Sequence, residues 1–189
     1  MRKYVILFLL LLPFQAIAQN LVTFKLTPHS TFATESGEDF IVVPFEGKTA
    51  HQIYQTLASN VSSLYNNPSK VMTGVEDASI KIRALSENMY TNKFMGTSGH
   101  VAAYYQLEFR IKDGRVRVAA PYIEDTATFH MYGSDNEGAF RRVSKKWFKD
   151  GEAKAKHKAQ ITEVENNVNS LINCILGFIG SSSTVDDDW

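Results

Sequence analysis

From residue 100 the chain alternates without a break. Val101, Ala103, Tyr105, Leu107, Phe109 and Ile111 take every second position, and His100, Ala102, Tyr104, Gln106, Glu108 and Arg110 take the others. A period of two marks a strand with one buried and one wet face. Asp113-Gly114 follows, a pair suited to a two-residue turn whose central residues need positive φ. Val116, Val118 and Ala120 then resume the alternation. Such a turn opposes Lys112 with Arg115. It therefore opposes Ile111 with Val116, Phe109 with Val118, and Leu107 with Ala120. All six are apolar and share one face, so the pattern predicts an antiparallel hairpin in this register.

The flanking segments are read in the same way. Ile41, Val42 and Val43 make a β-branched run over 39–45 that predicts a strand, with Pro44 at its exit. Thr49 and Gln52 have capping-box spacing, and Ala50, Ile53, Tyr54, Leu57, Val61, Leu64 and Tyr65 continue at helical spacing. Asn66-Asn67-Pro68 ends that helix. Beyond Lys70 the period returns to two and predicts strands over 71–75 and 78–85. Ile80, Ile82 and Ala84 share one face of the second strand, with Lys81 and Arg83 opposite. Residues 87–99, with Asn, Gly and Ser together, read as a loop. A short strand is expected over 22–26. Residues 124–150 have no clean period and read as an ordered connection with a short strand near 127–132. From about Glu152 a last helix carries Ile161, Val164, Val168, Leu171, Ile175 and Phe178, ending at Gly180 and the serines after it. The expected fold is α+β and two-layered. An antiparallel sheet of about five strands is covered on one face by two helices, in the order strand, helix, four strands, helix.

The first residues have a different character. Arg2 and Lys3 precede an apolar run from Tyr4 to Leu12, and Ala16-Ile17-Ala18 forms a small-x-small cleavage signature. This is the layout of a signal peptide. The run is shorter than the roughly 20 residues that span a bilayer as a helix. The expected organisation is a signal peptide over 1–18, an N-terminal extension over 19–37, one domain over 38–180 and an acidic tail over 181–189. Cleavage near Ala18 would deliver the chain to the periplasm or outside the cell. No transmembrane anchor is expected, and no cysteine follows the run to carry a lipid.

Composition then removes several classes. The single cysteine excludes an internal disulfide and a Cys-based zinc site. Cys174, inside the last helical pattern, reads as a small core residue. Twenty Lys and Arg balance 20 Asp and Glu, which argues against a nucleic-acid binder that relies on a broad basic surface. Without Arg2 and Lys3 the balance is −2.

Candidate chemistry is sparse. His29, His51, His100, His130 and His157 are too scattered for a helix-spaced metal pair, and HExxH, GxSxG, P-loop and GxGxxG motifs are missing. No metal, cofactor or catalytic residue is expected. Glu124 and Asp125 are adjacent, so on a strand they would face opposite ways. The wet face of the sheet should show Lys81, Arg83, Arg110 and Arg117 beside Tyr104, Gln106 and Glu108. Lys81, Arg83, Tyr104, Arg110 and Arg117 are therefore candidate ligand-binding residues for a sugar acid, phosphate or lipid headgroup, because guanidinium forks grip such groups bidentately. The plain reading is an ordinary solvated face. Phe129, Tyr132, Phe140 and Trp147 are candidate partner-binding aromatics, or else cover for the open end of the core.

Several of these segments carry a resemblance. They are Phe40-Ile41-Val42-Val43-Pro44, Gly47-Lys48-Thr49-Ala50, Ile53-Tyr54, Lys112-Asp113-Gly114-Arg115 and the closing Asp188-Trp189. In that order they resemble a domain family of unknown function common in secreted proteins of Bacteroides-like gut bacteria. The resemblance covers residues 38–180 and implies a fold similar to one repeat of the TATA-box-binding protein. Two places depart from the family pattern. Ala58 to Val61 stand where the helix often has a tryptophan, and Val116 and Val118 where a tyrosine is common. The family brings no catalytic residues, and its fold name does not imply DNA binding. The expected function is an exported, non-enzymatic envelope module that binds an unidentified ligand or protein. The alternative is an envelope hydrolase built on His100 or His130 with a distant carboxylate. Neither a nucleic-acid partner nor a particular oligomeric state is expected.

Overall fold

The protein is described by a computed structural model over residues 21–94, 97–129, 136–138 and 140–178. The expected signal peptide, the acidic tail and Gly180 lie outside the described residues. Two short strands come first, β1 (Lys25–Leu26) and β2 (Phe32–Ala33), then β3 (Phe40–Pro44). Helices α1 (Ala50–Leu64) and α2 (Pro68–Val71) follow. Strands β4 (Met72–Val75), β5 (Ser79–Phe94), β6 (Thr97–Lys112), β7 (Arg115–Ala119), β8 (Tyr122–Phe129) and β9 (Asn136–Gly138) come next. The chain closes with α3 (Phe140–Ser144), a small hairpin of β10 (Phe148–Lys149) and β11 (Glu152–Ala153), and α4 (Lys158–Leu176).

The fold is α+β, with seven strands in the main sheet among the described residues where about five were expected. Its order is β3-β7-β6-β5-β4, and β8, with β9 beyond it, pairs the other half of the β6 edge that β7 uses. The spine is the antiparallel pair β5 and β6, 16 residues each. The hairpin register is the one the alternation predicts: Lys112 opposes Arg115, Ile111 opposes Val116, and Phe109 opposes Val118. The expected Leu107–Ala120 pair does not form. Pro121 has no N–H to donate, the Ala120 N–H turns to the Asp39 carbonyl at 2.7 Å, and β8 takes over beside Gln106.

Residues 87–94 and 97–99, expected to be loop, are strand. Ser86 opposes Ala103, but the next pair is Tyr90 with Val101. The extra residues of β5 form a bulge, which sends both Met89 and Tyr90 into the core. Two successive buried residues hide the alternation, and cross-strand bonds outweigh the loop-like composition.

Helices α1 and α4 cover one face. Thr49 and Gln52 form the expected reciprocal cap of α1, which buries Ile53, Leu57 and Val61. Helix α4 ends earlier than expected, at Gly177, whose φ of 79° is left-handed and costs glycine little. Its buried seam runs through Ile161, Val164, Val168, Ile172 and Ile175. Leu171 and Cys174 sit at the margin of this seam and are half-buried, so Cys174 is not the core residue expected.

The start of the expected extension belongs to the same core, where Val22, Phe24, Leu26 and Phe32 are buried. Helix α4 holds this segment by its backbone. Asn173 accepts from the Val22 N–H and donates to the Val22 carbonyl, both at 2.8 Å. Asn169 does the same for Phe24 at 2.9 Å. Glu165 accepts from the Leu26 N–H at 2.9 Å and from Lys25 at 3.1 Å. Four helical residues rise about 6 Å and two strand residues about 6.6 Å, so every fourth side chain of α4 meets every second residue of the segment.

Candidate functional site

The face of the sheet away from the helices carries the predicted ligand-binding residues. Strand β5 supplies Lys81 and Arg83, β6 supplies Tyr104, Gln106, Glu108 and Arg110, and β7 supplies Arg117. Even spacing on pleated strands puts them on one side. The structure brings these side chains together and also supplies carboxylates. Arg83 grips Glu124 of β8 with two nitrogens, at 2.6 and 2.7 Å, and Gln106 donates to the same carboxylate at 2.9 Å. Arg110 donates to Glu108 at 2.7 Å, and Lys81 lies 3.4 Å from it. The Arg110 bond holds Glu108 below the usual carboxylate range, helped by Lys81 and opposed by partial burial. The Arg83 fork does the same for Glu124. The Arg83 guanidinium also lies over the Tyr104 ring, 4.6 Å from its centroid.

Arg117 is held more loosely. It lies over Phe40 at 4.2 Å and 3.9 Å from Asp39, whose side chain is 84% exposed. Arg110 and Arg117 are directly opposed across β6 and β7. Like charges in that position repel.

Two shallow depressions meet where the chain passes from β7 to β8, at Ala119, Ala120 and Tyr122. One, of about 260 Å³, is rimmed by Lys81, Arg83, Gln106 and Glu108. The other, of about 410 Å³, is rimmed by Ser30, Thr31, Asp39, Arg110 and Arg117. Lys81, Arg83, Arg110 and Arg117 thus lie around one surface region, although each has an acidic neighbour. Sequence reasoning missed Glu124, Tyr122 and Asp39. Adjacency to Asp125 carries no signal of which cation Glu124 meets, because Arg83 reaches it from another strand.

The aromatic candidates separate. Phe140 and Trp147 are 1% and 3% exposed, so they do not present a partner surface. They pack with Tyr90 beneath the bulge, the Tyr90 and Trp147 rings 5.0 Å apart and edge-on. The side chain of Phe129 and the whole of Tyr132 lie outside the described residues. His100 meets Asn88 at 2.9 Å, and His130 is again outside the described residues. Among the described residues one group could hold a metal: His51, Glu76 and Asp77, with ligand atoms within 4.8 Å of one another. The His51 ring is already engaged, by Asp77 at 3.0 Å and by Gln55 at 2.8 Å. It also sits in the first turn of α1, where the helix dipole disfavours a cation.

No family model matches this chain, and no curated protein matches it in sequence. Two solved structures are similar to it. A TBP-like protein from Parabacteroides distasonis has 11% identity and a TM-score of 0.46, over 72% of this chain and 90% of that one. A DUF4468-family protein from Bacteroides ovatus has 13% identity and a TM-score of 0.51, over 73% of this chain and 84% of that one. At such identity the likeness concerns architecture, and this chain has the fold of the Bacteroides ovatus DUF4468-family protein.

Proposed function

We propose that this chain is an exported, non-enzymatic binding module of the cell envelope, and that its sheet face takes a small anion at Arg110 and Arg117. The observation that carries the reading is the direct opposition of these two arginines across the rim of the 410 Å³ depression. A carboxylate or phosphate between them would turn a repulsion into two charge-assisted contacts. Arg110 uses its Nε for Glu108, and Arg117, which lies over the Phe40 ring, has no ion pair shorter than its 3.9 Å contact with an exposed Asp39. Both therefore keep donors for a ligand. Ser30, Thr31 and Tyr122 add hydroxyls around the same hollow, which suits a sugar acid or a sugar phosphate. Among the described residues no histidine lines this hollow, so a hydrolase centred on it finds no support.

The test is calorimetric titration of the protein with glucuronate, galacturonate and glucose 6-phosphate. Binding of one of them, lost in Arg110→Glu/Arg117→Glu and weakened in Arg117→Lys, is the expected result. Binding that survives the double reversal would sink the assignment, as would no binding by the parent to any of the three.

A further inference from the structure

The stretch from Arg141 to Lys158 carries eight of the chain's 20 basic residues and two of its 20 acidic ones. Its net charge is +6, which leaves −6 for the rest of the chain. The stretch folds back on itself. Phe140 and Trp147 anchor it in the core, β10 pairs with β11, and Trp147 stacks on His157 at 6.1 Å. Lys154 donates to the Lys146 carbonyl at 2.7 Å. The two arms of the hairpin, with Lys145, Lys146 and Lys149 on one and Lys154 on the other, are thereby brought side by side.

Arg142, Lys145, Lys146, Lys149, Lys156 and Lys158 are exposed. Among the described residues none of these six makes an ion pair, whereas Lys81, Arg83, Arg110 and Arg117 of the sheet face each do. The local field is felt by His157, whose pKa is lowered first by burial and then by Lys156 and Lys154.

We infer that this basic surface docks the protein on an anionic lipid bilayer, its lysines against the headgroup phosphates. Six of the eight cations are lysine, a compact point charge suited to a fluid layer of headgroups rather than to one shaped anion. Of the large aromatics of the stretch, Trp147 is buried and Phe148 is half-buried against the core, which makes a poor platform for stacking on single-stranded bases. The stretch carries +6 against −6 for the rest of the chain, so an anionic plane is attracted to this stretch in preference to the remainder. Docking of this kind needs no spanning segment, and no described helix is long and apolar enough to cross a membrane.

Vesicle flotation of the full chain tests the inference. Neutral phosphatidylcholine vesicles measure whatever the apolar run from Tyr4 to Leu12 contributes. Vesicles with about 30% phosphatidylglycerol add the electrostatic part, expected to raise partition by more than about a hundredfold and to fade as salt is added. Lys145→Gln/Lys146→Gln/Lys149→Gln should lose about a hundredfold, at roughly fivefold per lysine. Lys48→Gln/Lys70→Gln/Lys112→Gln, at exposed lysines elsewhere, should stay within about twofold of the parent. Matching circular dichroism and Tm would show that both variants are folded. Equal partition on the two vesicle types overturns the inference, as does equal loss in both variants or no loss in the first. Salt-sensitive binding to a DNA oligomer without binding to anionic vesicles would assign the surface to a soluble polyanion and overturn it too.

Discussion

Replacing Asn173 with alanine should loosen the segment from Val22 to Leu26. Asn173 is 2% exposed, as is Val22. Its amide makes three bonds: from the Val22 N–H and to the Val22 carbonyl at 2.8 Å, and to the Asn169 carbonyl at 2.7 Å. Alanine leaves both Val22 groups buried and unpaired, at about 1–3 kcal/mol each. The segment has one escape, which is to peel away. That exposes Val22, Phe24 and Leu26, at about 1.5–3 kcal/mol each, and regains about 1–2 kcal/mol of backbone entropy for each freed residue. Peeling therefore caps the loss, and Asn173→Ala should cost about 2–4 kcal/mol. For a chain of this size that lowers Tm by about 5–15 °C. Urea unfolding followed by circular dichroism measures it. Asn169→Ala, at a part-buried position, should cost about half as much. Asn166→Ala, on the exposed side of the same helix, should lie within about 0.5 kcal/mol of the parent. An Asn173→Ala midpoint equal to the parent's would refute the clamp.

Two further outcomes follow from single side chains. The Tyr90 hydroxyl is buried with no partner among the described residues, and burial pushes its pKa far up. Tyr90→Phe should leave stability unchanged or raise it by up to about 2 kcal/mol in urea unfolding, and a loss above about 1 kcal/mol would show a bond that the structure lacks. Glu124 has a folded pKa below its ordinary value of 4.5, chiefly because of Arg83. Its contribution is complete above that ordinary value and disappears as pH falls through the lower folded one. The stability gap between the parent and Glu124→Gln should therefore close in acid, and a gap that holds steady down to about pH 3 would count against the pairing.

Much of the fold was legible because its signals are short. Alternation from Val101 to Ile111, the Asp113-Gly114 turn and the Thr49–Gln52 cap each need only neighbouring residues, and the structure contains all three, although at the turn only Gly114, with φ of 72°, takes the positive φ expected of both central residues. The opposition of Arg110 and Arg117 was implicit in the same register. The density of cations from Arg141 to Lys158 was equally open to counting, but balanced totals over the whole chain masked it.

What the sequence alone determined is thus the local periodicity: which residues share a face, where helices begin, and which strands a tight turn must join. The tertiary structure decided the rest. The β5 bulge turns a polar, loop-like stretch into strand because β6 is there to bond it. Glu124 neutralises Arg83 from 41 residues away, and Asn173 clamps Val22 from 151 residues away. Such partners have no spacing to betray them. Dihedral preferences and hydrophobic period act within a few residues, whereas the pairing of a buried amide or an exposed charge depends on which distant backbone the closed sheet brings beside it.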